Sequence, residues 1–130
     1  MIEIYDSGAA FWTDNRAFLD TNPQISAFMV LDAPLLKETG TINYAVKCEK
    51  DGKTLLAMKV EPYPLQLFGD ADCAGELLDF LMRGGYEIRN YLSEKTLGDA
   101  AAREMETRFG IRYEEALAME FMEAKEVTEP

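Results

Sequence analysis

The chain has 130 residues, 48% of them apolar, a size and composition that suit one globular domain with its own core. Its 24 acids and 13 bases leave a formal charge of −11, which speaks against nucleic acid or an anionic membrane as partner, because both call for a basic surface. There is no histidine, so the commonest general base and zinc ligand are missing and any chemistry falls to carboxylates, Tyr, Lys, Ser or Cys.

The opening IEIYD is predicted as a short strand. From about Gly8 to Asp20, Phe11, Trp12, Phe18 and Leu19 recur at helical spacing until Pro23 breaks the pattern. Ile25, Phe28, Met29, Leu35 and Leu36 then share one face of a second helix, which Gly40 ends. The period changes to two where Ile42, Tyr44, Val46 and Cys48 alternate with Thr41, Asn43, Lys47 and Glu49, so a strand is expected. Asp51-Gly52 is a tight-turn signal, and Thr54, Leu56, Met58 and Val60 give one face of the return strand.

Pro62 and Pro64 interrupt the chain before LQLF, read as a further short strand. A helix is predicted from about Asp72, its N-cap, with Ala74, Leu77, Leu78 and Leu81 inward and a stop at Gly84-Gly85. YEIRNYL reads as a strand, and Thr96 with Asp99 as the capping box of a last helix. That helix carries Leu97, Ala101 and Met105 inward and the pairs Asp99–Arg103 and Glu104–Arg108 outward, and Gly110 ends it. Leu117, Met119 and Phe121 alternate in one long final strand. The predicted order is β-α-α-β-β-β-α-β-α-β: an α+β domain over 1–123, with helices on both faces of a twisted, mostly antiparallel sheet, and a polar linker or tail at 124–130.

No apolar run approaches the ~18 residues of a membrane span. The start, MIEIYDSG, has neither the basic nor the apolar part of a signal peptide, so cytoplasm is the expected compartment. Cys48 and Cys73 lie far apart in sequence and form no metal-type pair, and no structural disulfide is expected. Asp70, Asp72 and Glu76 are oxygen donors without the spacing of an EF-hand; capping and solvation account for them, and no metal site is expected. Cys73 would sit in a first helical turn, which favours a thiolate, beside aspartates that oppose it. Phe11, Trp12, Phe18 and Phe28 gather in the first two helices, either as core or as a contact with a partner domain or an acceptor.

The order of elements resembles the GNAT superfamily of acyl-CoA-dependent N-acetyltransferases over essentially the whole chain. EKDGKTLLAMKVEPYPLQLF, the helix after it and YEIRNYLSEKTLGDAAAREMETRFG are closest to the N-terminal domain of two-domain GNAT proteins. In those, a degenerate GNAT-like domain precedes the domain that carries the acetyl-CoA site. The resemblance implies a pyrophosphate loop at Gln66, Gly69 and Ala71, written QLFGDA here. The position of the family's general-acid tyrosine holds Glu106, while Tyr113 lies beyond the helix; a carboxylate base, where one is used, would fall on Glu61. By the same resemblance the first two helices border the acceptor side.

A loop of that kind works by aiming free backbone N–H groups and a helix N-terminus at the anion. Asp70, Asp72 and Glu76 seek the same N–H groups and would repel a diphosphate. The expected reading is a non-catalytic N-terminal domain with no catalytic residue and no cofactor of its own, partnered by a second GNAT domain. The alternatives are a complete small enzyme that binds acetyl-CoA through Gln66, Gly69 and Ala71, and a stand-alone interaction module such as a homodimer.

Overall fold

The computed structural model describes residues 1–117 and 121–124. In chain order the elements are β1 (Ile2–Ile4), α1 (Gly8–Leu19), α2 (Pro23–Asp32), β2 (Tyr44–Lys50), β3 (Lys53–Lys59), β4 (Leu65–Gly69), α3 (Ala74–Arg83), β5 (Asn90–Leu92), α4 (Lys95–Phe109), β6 (Tyr113–Leu117) and β7 (Phe121–Ala124). Single 3-10 turns follow α2 at Ala33–Leu35 and precede α3 at Ala71–Cys73. The fold is mixed α+β. The strands form one sheet in the order β1-β2-β3-β4-β5-β7-β6, antiparallel at every step except β4 against β5.

The sheet separates two apolar layers. On one face Tyr44, Val46, Cys48, Leu55, Ala57 and Leu65 meet Leu77, Leu78 and Leu81 of α3 and Leu97, Ala101 and Met105 of α4. On the other, Ala45, Leu56, Met58 and Phe68 meet Phe11 and Leu19 of α1 and Met29 of α2. Each fully buried Leu stabilises the fold by about 2 kcal/mol. With helices above and below, β2 and β3 are buried on both faces, so Leu55 and Ala57 are core as well as Leu56 and Met58. A strand covered on both sides has no solvent-facing set of residues, and period two marks only one of its faces.

The Asp51-Gly52 turn forms as predicted, with φ of 52° and 78°, the left-handed pair that a two-residue hairpin requires. Ser7 caps α1 by accepting from Ala10 N–H at 3.2 Å. Pro23 opens α2 at its first position, where its missing N–H costs nothing.

Several expectations are corrected. The second helix stops at Asp32, because Pro34, in the 3-10 turn, has no N–H with which to continue the i→i−4 ladder. Asp72 does not cap α3, which begins at Ala74; Asp70 caps the preceding 3-10 turn instead. YEIRNYL contributes only Asn90–Leu92 to the sheet. Glu94, not Thr96, caps α4, accepting from the N–H groups of Thr96 and Leu97 at 3.2 Å each, and Asp99 pairs with Lys95 rather than Arg103. The single long last strand is two strands, β6 and β7, paired antiparallel with Leu117 opposite Phe121. Met119 and the predicted tail beyond Ala124 fall outside the described residues.

Candidate functional site

QLFGDA ends β4 and turns toward α3. Gln66 is buried and donates Nε2–H to Asp32 Oδ2 at 2.5 Å, tying β4 to the end of α2. Gly69 has φ of +140° and lies against β3, where an added Cβ would stand 2.3 Å from the Thr54 carbonyl oxygen. The glycine is therefore required by strand-to-strand approach, a different demand from room for a phosphate.

Three of the backbone donors after it are engaged. Asp70 N–H donates to Thr54 O at 2.8 Å, and Cys73 N–H to Asp70 O at 3.1 Å. Asp72 N–H donates to the Asp70 carboxylate, Oδ1, at 2.9 Å. This turn is closed on itself by Asp70, a short acceptor side chain reaching two residues on. Ala71 lies inside the 3-10 turn. The Asp72 carboxylate forms an ion pair with Lys53, which holds it below the usual carboxylate range. Glu76 pairs with the Met1 amino group at 2.9 Å. The three carboxylates that lie together in sequence thus face three different partners. Among the described residues no three His, Cys, Asp or Glu side chains converge as a metal would need.

The other residues that the sequence singles out are not brought to this turn. Glu61 precedes β4, at the opposite end of the strand, and its carboxylate is paired with Lys59 at 3.1 Å and Arg89 at 3.7 Å. Lys59, itself buried, holds the Glu61 carboxyl below its ordinary range, which weakens it as a base. Glu106 is exposed on α4. Tyr113 belongs to β6. Cys73 and Cys48 are both buried in one core layer with their side chains in contact. Burial raises both thiols, Cys48 to about 12, so neither is a ready nucleophile.

The aromatics divide. Phe11 is core, Phe18 stacks edge-on against Phe68 at 5.3 Å, and Trp12 carries the Arg16 guanidinium 4.9 Å from its ring centre. Phe28 is exposed and borders a cleft.

That cleft is the structural feature that sequence reasoning missed. β4 and β5 pair only through Leu65 with Tyr91 and Gln66 with Leu92; β4 then runs on while the chain leaves β5 for α4. The gap opens into a cavity of about 310 Å³ walled by Ile25 and Phe28 of α2, Leu67 and Phe68 of β4, and Leu92 and Glu94. A second cavity of about 360 Å³ continues it toward Phe18, Asn22 and Gly69. The walls are mostly apolar, with Gln24, Gln66, Ser93 and Glu94 as polar points. No signal in a single sequence announces where two parallel strands stop pairing.

No helix among the described residues is long and apolar enough to cross a membrane. No family model, no curated protein and no solved structure matches the chain.

Proposed function

We propose that this chain is a GNAT-like domain without catalysis of its own, which docks against a domain that holds acetyl-CoA and transfers its acetyl group to an amine. One observation carries the reading: in the turn after β4 the N–H groups of Asp70, Asp72 and Cys73 are taken up by Thr54 O, the Asp70 carboxylate and Asp70 O. A diphosphate there would have to displace those bonds and sit beside the carboxylates of Asp70 and Asp72. At about 4 Å and an effective dielectric of 20, each close pair of like charges costs about 4 kcal/mol. The dipole of a helix end returns only about 0.3–1 kcal/mol per charge at an exposed site. Lys53 offsets part of the repulsion, but its ammonium is already engaged by Asp72. The succession of a strand, two helices, three strands, a helix, a strand and a helix supports the GNAT-like part of the reading.

The test is thermal unfolding of the full chain with and without millimolar acetyl-CoA. An unchanged midpoint is expected. A ligand at 100 times its dissociation constant adds about 2.7 kcal/mol to the state that binds it, and a shift of that size would replace this reading with the complete small acetyltransferase.

A further inference from the structure

We propose that the outward face of α2, together with the cleft beside it, is the surface through which the domain docks. Its occupant is a polypeptide segment with apolar side chains at helical spacing, flanked by lysine or arginine. The inference deepens the docking reading above and rests on it for the partner being a protein.

The argument begins with α2 itself. Its sequence, PQISAFMVLD, is apolar nearly all round, a pattern that belongs to helices covered on every side. Only one side is covered here. Met29 enters the core and Ser26 donates its hydroxyl to Leu19 O at 2.8 Å. Ile25, Phe28, Leu31 and then Leu35 are 40, 47, 68 and 53% exposed. A single exposed apolar residue is ordinary on any surface. A row of them three or four apart, on one helix and the turn after it, is an apolar stripe that the described residues leave open.

The stripe is continuous with the cleft, since Ile25 and Phe28 belong to both. Leu67 and Phe68 form the cleft's floor and are shared by its two cavities. A side chain from a segment lying along α2 would enter there, the geometry of an amphipathic helix in an apolar groove.

Charge selects the occupant. In α2 and the turn after it, residues 23–35, Asp32 is the one charged residue, and Lys37 lies just past the Leu35 end of the stripe. The cleft adds Glu94, and none of the described residues in the walls of its two cavities is basic. A second copy of this chain would bring another −11 to an acidic surface. A segment with basic flanks meets Asp32 and Glu94 with the complementary sign.

The probe is a synthetic peptide of two to three helical turns, leucine at three- and four-residue spacing and lysine between, set against a twin with glutamate in place of lysine. Saturable one-to-one binding of the lysine peptide to the full chain is expected by calorimetry. The double variant Phe28→Ser, Leu31→Ser should weaken it at least tenfold. Ile4→Ser, an equally exposed apolar residue on the other face of the sheet, should leave it unchanged. Because all three side chains are exposed, the variants should keep the circular dichroism of the parent. Absence of saturable binding, binding indifferent to the double variant, or equal binding of the glutamate peptide would each overturn the proposal. So would a dimer in sedimentation that Phe28→Ser abolishes, because the occupant would then be a second copy. Acetyl-CoA stabilisation is read separately: it overturns the non-catalytic reading and leaves the peptide result standing on its own.

Discussion

Gly69 and Thr54 touch through backbone alone: an ideal Cβ on the glycine would lie 2.3 Å from the threonine carbonyl oxygen, at a φ of +140° that side chains rarely adopt. β3 and β4 close on each other there, and the Asp70 N–H completes the seam on the same oxygen at 2.8 Å. Gly69→Ala is therefore expected to lower stability by about 1–3 kcal/mol through strain and displacement of β4. Urea unfolding measures it as a fall in midpoint with the slope unchanged.

Asp32 and Gln66 join α2 to the sheet from beneath the cleft. Removing the carboxylate strands a buried amide donor, which costs about 1–3 kcal/mol. Asp32→Ala should show that loss, whereas Asp32→Ala combined with Gln66→Leu should recover part of it. The sign of the coupling in a double-mutant cycle is the measurement.

Asp70 holds the turn by accepting from Asp72 N–H at 2.9 Å. Asp70→Ala should cost about 1 kcal/mol, the usual loss for a cap. It also frees a backbone donor. If the engaged donors and the repulsion are what exclude a diphosphate, Asp70→Ala with Asp72→Asn should bind inorganic pyrophosphate more tightly than the parent chain, as read by calorimetry.

Tyr5 donates its hydroxyl to Asp14, and Asn15 donates Nδ2–H to Tyr5 Oη at 3.1 Å. Lys47 closes the group with an ion pair to Asp14 at 3.0 Å. Burial, then Asp14, pushes Tyr5 up to about 12 from an ordinary 10.0, and burial pushes Cys48 to about 12 from 9.0. Both groups are raised in the folded chain, so the unfolded chain loses their protons first. Their contribution to stability is whole below about pH 9 and drains away toward pH 12. The unfolding midpoint should fall across that window. Tyr5→Phe should flatten the part above pH 10, and Cys48→Ala the part that begins near pH 9.

Most elements were legible in the sequence because their signals are local. Asp51-Gly52 fixes a hairpin, Leu77, Leu78 and Leu81 fix the inner face of α3, and Gly110 ends α4. What escaped depends on contacts distant in sequence. Cys48 and Cys73 meet because Leu55 pairs with both Cys48 and Gly69, carrying the 3-10 turn over β2. Gly69 looks the same in sequence whether it makes room for a phosphate or for Thr54. The exposure of Phe28 was equally hidden, since an all-apolar helix does not disclose which of its sides lacks a neighbour. The β6–β7 pair is a local event that period two could not separate from one longer strand.

The division of the interior into two layers by the sheet has a kinetic consequence. The layer under α3 and α4 is sealed, with Leu77, Leu78, Leu81, Ala101 and Met105 wholly covered. The layer under α1 and α2 is roofed by a helix half open to solvent, and so less apolar burial opposes its opening. Amide protons of α2 should exchange with deuterium through a partial opening, well before those of α3 and of the strands between. Whatever comes to rest on α2 would slow that exchange first, which makes the helix its own reporter.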